Sequence, residues 1–387
     1  MKSIKKILCL GLVFFAGCYM VGFAQNETFK PSFHAGVLMH TYVGMQQKGF
    51  DDFGADKADD WSATAALQRG RIITETHLTP RDYVFFQTEL TTIIGTNGIA
   101  KPAVMKVIDA QYDHKFADYL TVSGGKVLVS HNRNGLQTAH TLMINDFTYF
   151  QYPYNTSEES PLQNDLGRDI GVNLSGGFLG NKLKYRVGAF VGKRAYFSDN
   201  APRFVGRVEY NFFDVDKYSG TNLGEGKTFT LAGGVDTQGD YAAGGVDMFA
   251  DCPLGSGSVT FNGAYSYITG GNDPAAKHSF ASEIPTQNVF LAELGYYIKS
   301  LKLQPWLRFE KQDVVSQDKQ RDGMAATEFD KLNSNDVFGG GISYFFNGYG
   351  TNLKLSYVSW QKDVATDAGI KSKSFGQVWL QLQLCYF

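Results

Sequence analysis

Eight arginine and lysine side chains fall on one face of the strands that the sequence predicts, because side chains alternate along a β-strand. They are Arg69, Arg71, Lys184, Arg186, Arg203, Arg207, Arg308 and Lys354. In a narrow passage with walls of low dielectric, such a row of cations attracts small anions. The same face carries five glutamates that could cancel this field through cross-strand ion pairs: Glu75, Glu89, Glu209, Glu293 and Glu310. The sequence leaves both alternatives open.

Motifs for catalysis or metal binding are scarce. None of the seven histidines stands at metal-ligand spacing with Cys, Asp or Glu, and there is no G-x-S-x-G, P-loop or dinucleotide fingerprint. A hydrolase embedded in a sheet needs only a Ser, a His and an orienting polar group on neighbouring strands, which sequence spacing does not exclude. We expect no enzyme and no cofactor.

A predicted β-hairpin over residues 167–192 shows how strands position the charged side chains. Ile170 and Val172 alternate with polar residues in its first arm, and Lys184 and Arg186 alternate with apolar residues in its second. The period of 2 puts apolar and polar side chains on opposite faces. This arrangement is typical of a soluble sandwich or of a barrel in lipid with a wet interior.

Alternation and turn residues predict about sixteen strands of a length that suits tilted strands crossing an outer membrane. They lie near 32–46, 63–78, 82–94, 103–116, 120–131, 169–178, 182–194, 203–213, 229–238, 241–251, 257–269, 287–299, 301–313, 336–347, 351–362 and 375–387. One predicted lipid-facing row is Val84, Phe86, Thr88 and Leu90. Such rows also occur in soluble β-sandwiches, so the choice between a sandwich and a barrel depends on the connections between the strands.

The connections alternate between tight turns and long polar loops. The long loops lie near 47–62, 132–168, 270–286, 314–335 and 363–374. Two joints break the alternation, because 214–228 is long where a turn is due and 238–240 is short where a loop is due. Short turns on one side and long loops on the other are typical of outer-membrane barrels. We therefore predict an all-β fold, a transmembrane antiparallel β-barrel of about sixteen strands, with eighteen as the alternative.

Three runs of sequence carry a resemblance to a known family. They are GRDIGVNLSG (167–176), KLKYRVGAFVG (182–192) and PRFVGRVEYN (202–211), which resemble the phosphate-selective porin O and P family of Gram-negative outer membranes. The resemblance covers about forty residues and implies the barrel more firmly than it implies phosphate. In that family, a ladder of Arg and Lys along the lumen draws anions inward.

The long segment 132–168 follows the fifth predicted strand, and the loop at this place in sixteen-stranded porins commonly folds into the lumen. Its predicted constriction residues are Arg133, His140, Tyr149, Tyr152 and Arg168. The aromatic residues between 147 and 154 could stack on sugar faces or pin the loop against the barrel wall, and we favour pinning.

The two ends of the chain carry export and assembly features. Residues 1–24 have the lysines, apolar core and small residues of a signal peptide, which leaves 25–387 as a single barrel domain. The alternatives are a transmembrane anchor and lipoprotein processing at Cys18. The final strand ends on Phe387, although this residue shares parity with Gln381 rather than with the apolar row.

Removal of the leader leaves 33 basic and 38 acidic residues, a formal charge of −5, which disfavours nucleic-acid binding. Cys252 and Cys385 should lie about 30 Å apart around the barrel, too far for a disulfide.

We therefore expect a porin of the cell outer membrane, a passive channel for small hydrophilic solutes, with anions such as phosphate as candidates. Its expected partners are outer-membrane lipid, these solutes and two further copies in a homotrimer. The alternatives are a non-conducting adhesin or structural barrel, and a sugar-preferring porin with an aromatic-lined constriction.

Overall fold

The computed structural model is a closed barrel of sixteen antiparallel strands. It describes residues 29–50, 59–94, 104–151, 167–192, 201–239, 241–269, 286–314, 334–366 and 369–387. Each strand pairs with its neighbours in sequence, and β1 pairs with β16 to close the barrel. The predicted fold class and the count of sixteen strands are confirmed. The predicted leader and Cys18 lie outside the described residues.

All sixteen strands lie close to their predicted positions. They are β1 (Ser32–Gln47), β2 (Trp61–His77), β3 (Asp82–Ile94), β4 (Val104–Ala117), β5 (Leu120–Leu128), β6 (Arg168–Phe178), β7 (Leu183–Phe190), β8 (Arg203–Asn211), β9 (Thr228–Gln238), β10 (Tyr241–Leu254), β11 (Gly257–Thr269), β12 (Gln287–Ile298), β13 (Leu303–Val314), β14 (Asn335–Tyr349), β15 (Thr351–Thr366) and β16 (Gly369–Tyr386). Within the described part of the chain, no helix is long and apolar enough to span a membrane.

The exterior of the barrel is apolar, as the period-2 pattern requires. In the hairpin of β6 and β7, Ile170, Val172 and Val187 are exposed on the outside. One position departs from its predicted row: Phe86 is exposed, whereas Thr88 is buried. The pairing of β3 with β4 shifts its register between Gln87 and Thr88. Such a shift changes the face on which the following side chains lie.

The two ends of the barrel differ in their connections. At the end where β1 begins and β16 ends, here called the terminal end, most strands are joined by short turns. The exception is residues 212–227, here called the terminal-end loop. At the opposite end, here called the loop end, β9 and β10 are joined by residues 239–240 alone. Both irregular joints in the predicted alternation are therefore present.

The predicted long loop at 363–374 is wrong. The pairing of β15 with β16 continues out to Thr366 and Gly369, which leaves residues 367–368 between the two strands. Backbone pairing does not require apolar side chains, so a polar stretch can extend a hairpin into water. The sequence was polar here, and polarity alone does not distinguish a loop from such an extension.

Two segments fold into the barrel. One is residues 129–151, here called the inner loop, which follow β5 from the loop end; the other is the terminal-end loop. Both contain residues that are buried inside the barrel, including Arg133 and Thr221. Cys252 on β10 and Cys385 on β16 are free thiols six strands apart.

Candidate functional site

The inner loop is held by cations and carboxylates of the barrel wall. Lys354 on β15 is fully buried, and its Nζ donates hydrogen bonds to the carbonyl oxygens of Leu142 at 2.8 Å and Ile144 at 3.0 Å. An ammonium group buried this deeply needs such acceptors, because it has lost its water. Lys354, a predicted lumen cation, therefore serves as an anchor for the inner loop.

Arg308 on β13 is a second anchor. Its guanidinium donates to the carbonyl oxygens of Asp146 at 2.9 Å and Phe147 at 3.0 Å, and it pairs with Glu293 at 2.7 Å. Glu310 lies two residues further along β13 and accepts hydrogen bonds from the backbone N–H groups of residues 149 and 150. A buried ion pair is stable when further hydrogen bonds satisfy both partners. The pair of Arg308 with Glu293 meets that condition.

The predicted cations on β2 are paired as well. Arg69 donates to Asp146 of the inner loop at 2.7 Å, and Arg71 pairs with Glu89 on β3. Both arginines are almost completely buried. Their charge is thus matched by a carboxylate at hydrogen-bond distance.

Aromatic residues of the inner loop pack against the wall. The Tyr149 ring centroid lies 4.9 Å from that of Trp360, and the Phe150 centroid lies 5.8 Å from it. Phe150 also belongs to a buried apolar cluster with Tyr241 and Val337. These two rings are in pinning positions, and Phe150 is too buried to stack on a solute. Tyr152 lies outside the described residues.

Arg133 of the inner loop is not free to meet a solute, and the partly exposed His140 carries no charge. Arg133 has no exposed surface and forms a bidentate pair with Asp216 of the terminal-end loop, with N–O distances of 2.6 Å and 2.9 Å. The carbonyl oxygen of His140 accepts a hydrogen bond from Gln383. Burial, together with the charges of Arg71 and other cations, lowers the pKa of His140 to about 4. His140 is therefore neutral at physiological pH.

The remaining predicted cations lie on β6, β7 and β8. Arg168 is the first residue of β6 rather than part of the loop before it, and it pairs with Asp109 on β4. Arg203 pairs with Asp236 at 2.7 Å. Arg207 forms a bidentate contact with Asp247, and one of its two hydrogen bonds is 2.9 Å long. All three are paired with carboxylates.

A water-accessible cavity of about 360 Å³ lies at the terminal end, on the side of the barrel formed by β4–β8. Its lining is Lys115, Asp118, Thr121, Ser175, Gly176, Gly177, Asn181, Lys184, Tyr185, Arg186, Arg207, Glu209, Val215 and Tyr218. Four of these side chains are cations and two are carboxylates. Lys115 and Asp118 pair with each other, and Arg207 pairs with Asp247 outside the lining.

Two predicted lumen cations in this cavity differ in their pairing. Lys184 pairs with Glu209 at 2.8 Å and lies 4.8 Å from the centre of the Tyr218 ring. Arg186 donates to the carbonyl oxygen of Leu128 at 3.5 Å and, among the described residues, forms no ion pair with a carboxylate. Of the two, Arg186 is the one whose guanidinium has no carboxylate at ion-pair distance in the described part of the chain.

Sequence reasoning found the cations but missed most of their partners. The missed carboxylates are aspartates, namely Asp109, Asp146, Asp169, Asp216, Asp236 and Asp247. Three of them, Asp169, Asp236 and Asp247, had a usable signal, because they share the lumen parity of β6, β9 and β10. Asp146 and Asp216 lie in loops, where parity gives no direction.

Comparisons with known proteins support the architecture. No protein-family model matches this chain, and no curated protein matches it in sequence. The outer membrane channel DcaP of Acinetobacter baumannii has a similar structure, with a TM-score of 0.55 at 15% identity over 95% of this chain and 100% of that chain. The resemblance to the phosphate-selective porin family therefore stays a prediction.

Two further solved structures are similar. An anion-selective porin from Comamonas acidovorans gives a TM-score of 0.59 at 11% identity, over 92% of this chain and 100% of that chain. OmpT of Vibrio cholerae, an outer membrane protein described in a trimer form, gives a TM-score of 0.52 at 11% identity, over 92% of this chain and 100% of that chain. At such identities the likeness establishes the fold. A closed barrel of this fold with an apolar exterior belongs in the outer membrane, and the predicted localisation is confirmed.

Proposed function

We propose that the protein is a passive channel for small hydrophilic solutes. The observation that carries this proposal is the difference between the two sides of the lumen. On the side of β10–β16, β1 and β2, here called the packed side, the inner loop is bonded to the wall. The side of β4–β8, here called the open side, keeps a polar, water-accessible cavity. Sixteen strands enclose more space than wall side chains fill, so water and solutes can occupy what the loops leave open.

The channel prefers anions only modestly, and phosphate is one solute among several. Most lumen cations are paired with carboxylates at hydrogen-bond distance. At physiological ionic strength a charge is screened within about 8 Å, so paired cations contribute little to the field along the passage. Arg186, which forms no ion pair with a described carboxylate, provides the preference.

The short turns of the terminal end face the periplasm, as is usual for outer-membrane barrels. A homotrimer is part of the proposal, since one of the similar structures is described in a trimer form. The proposal involves no catalysis and no cofactor. A sugar-preferring constriction is disfavoured because it would need aromatic rings exposed to the passage. Phe150 of the aromatic patch is instead buried against the wall.

Recording from planar lipid bilayers tests the channel function. Purified, folded protein should give stepwise current increments in salt solution, and a salt gradient should give a reversal potential that favours anions slightly. Phosphate added to chloride solution should lower the current only at high concentration. Folded protein that inserts into the bilayer and passes no current would overturn the proposal in favour of an adhesin or structural barrel.

A further inference from the structure

The terminal-end loop is much longer than its position requires. Other connections at the terminal end use a few residues, such as 118–119 and 255–256, whereas residues 212–227 form a loop of 16. Ordering so many residues costs conformational entropy, which contacts must offset. The contacts that this loop makes indicate what it does.

The base of the loop stays at the wall. The backbone N–H of Phe212 donates to the carbonyl oxygen of Phe229, and that of Asp214 donates to the carbonyl oxygen of Lys227, each at 2.9 Å. Phe212 and Phe213 remain exposed on the outside of the barrel. The segment between these anchors, residues 215–226, is therefore free to turn inward.

The middle of the loop enters the lumen and meets the inner loop. Asp216 pairs with the buried Arg133, and the carbonyl oxygen of Ser219 accepts from the same guanidinium at 2.6 Å. The backbone N–H of Gly220 donates to the carbonyl oxygen of Thr141 at 2.8 Å. A Cβ atom on Gly220 would clash with the backbone nitrogen of Met143, so the two loops touch backbone to backbone.

The far side of the loop is fixed to the packed side of the barrel. Thr221 has no exposed surface; its hydroxyl donates to Asp251 on β10 at 3.1 Å and accepts from Gln304 on β13 at 3.3 Å. The backbone N–H of Asn222 also donates to Asp251, at 2.8 Å. The near side, with Val215 and Tyr218, forms part of the cavity lining.

We infer that the terminal-end loop is a second constriction element, which closes the terminal mouth on the packed side and bounds the passage on the open side. This inference rests on the proposed channel function. The loop thereby sets the size of the solutes that pass, while Arg186 acts on their charge. The inner loop needs it as a support, because Arg133 and Thr141 have their partners there.

Two variants test this role in the full-length protein. In the first, residues 213–226 are replaced by Asn-Gly, a pair that forms tight hairpin turns. In the second, Gly220→Val drives a side chain into the backbone of the inner loop. The matched control is Gly124→Val on β5, where an added Cβ meets nothing within 4 Å. Heat-modifiable gel mobility establishes that each variant is folded.

The readouts are single-channel conductance and the swelling of liposomes in neutral mono-, di- and trisaccharides. The loop replacement should raise the conductance about two-fold or more and admit a larger sugar, because the open cross-section grows. Gly220→Val should also raise the conductance and the sugar size limit, but by less than the loop replacement does. Gly124→Val should have the conductance and size limit of the parent. If the loop replacement does not fold, the conductance and size limit of Gly220→Val test the constriction role.

The outcomes separate this inference from the channel proposal. A conducting parent whose folded loop variants keep the parental conductance and size limit would overturn the inference and leave the channel function standing. A parent that does not conduct, with a loop variant that does, would support the constriction role and overturn the proposal of an open passive channel.

Discussion

The packed side and the open side of the lumen use the same residue types differently. On the packed side, Lys354 and Arg308 donate hydrogen bonds to carbonyl groups of the inner loop. On the open side, Arg186 lines a cavity and forms no ion pair with a described carboxylate. The number of cations in a lumen is therefore a poor guide to its selectivity. What matters is whether each cation has a partner at hydrogen-bond distance.

This difference has an energetic reason. A buried cation without water needs acceptors, and it destabilises the fold if they are lost. A cation at a wet cavity keeps part of its hydration and needs no such partner. Substitution of the anchored cations Lys354 and Arg308 should therefore change stability, and substitution of Arg186 should change ion flow.

The largest expected effect is at Arg308. Arg308→Met leaves Glu293 and Glu310 buried without their cation and should lower the free energy of unfolding by about 3–5 kcal/mol. Urea unfolding in detergent, followed by tryptophan fluorescence, measures the change. Adding Glu293→Gln to this variant should restore part of the loss. A single variant as stable as the parent would contradict the anchoring role.

The sequence predicted the strands and the face of each side chain, but it did not predict the partners of the lumen cations. Strand positions followed from period-2 alternation, and the lumen face of Arg308 or Arg186 followed from parity. Parity gives a direction but no depth and no neighbour, so it could not distinguish an anchored cation from a free one. The partners of Arg69 and Arg133 are Asp146 and Asp216, which lie in loops whose path depends on tertiary contacts.

The irregular joint at 214–228 was also visible in the sequence, as a departure from the alternation of turns and loops. Its consequence was not, because no local pattern indicates that a loop enters a barrel. Gly220 illustrates the limit: it is one of 43 glycines, and its close approach to Met143 emerges from the fold alone.

The next largest effect is expected at Lys354. Lys354→Met removes the donor to the carbonyl groups of Leu142 and Ile144, and should lower the free energy of unfolding by about 2–3 kcal/mol. The inner loop should also become more mobile, which single-channel records would show as open-channel noise. Lys354→Arg is the control that keeps the charge. Quiet channels of parental stability in Lys354→Met would contradict the assignment.

A smaller effect is expected from acid. The pKa of His140 is lowered to about 4 by burial and neighbouring cations, below the value of about 6.5 in the unfolded chain. The unfolded chain thus takes up the proton first as pH falls, and stability is lost between about pH 6.5 and pH 4. His140→Gln should reduce this loss by about 1–2 kcal/mol at pH 5. Equal acid sensitivity in parent and variant, by urea unfolding at pH 8 and pH 5, would refute this contribution.

The smallest effect on stability is expected at Arg186. Arg186→Met should change the free energy of unfolding by about 0.5 kcal/mol or less, because the side chain is not buried and leaves no ion-paired carboxylate behind among the residues that the structure describes. The same urea titration provides the comparison with Arg308→Met. A loss as large as that at Arg308 would remove the distinction between the two sides.

The most direct test of this distinction is the reversal potential under a salt gradient. Three proteins are compared: the parent, Arg186→Glu, and the double variant Arg71→Gln with Glu89→Gln, which removes a complete ion pair. We predict that Arg186→Glu moves the reversal potential toward cation preference while the double variant stays at the parental value. A shift in the double variant, with none in Arg186→Glu, would contradict the account.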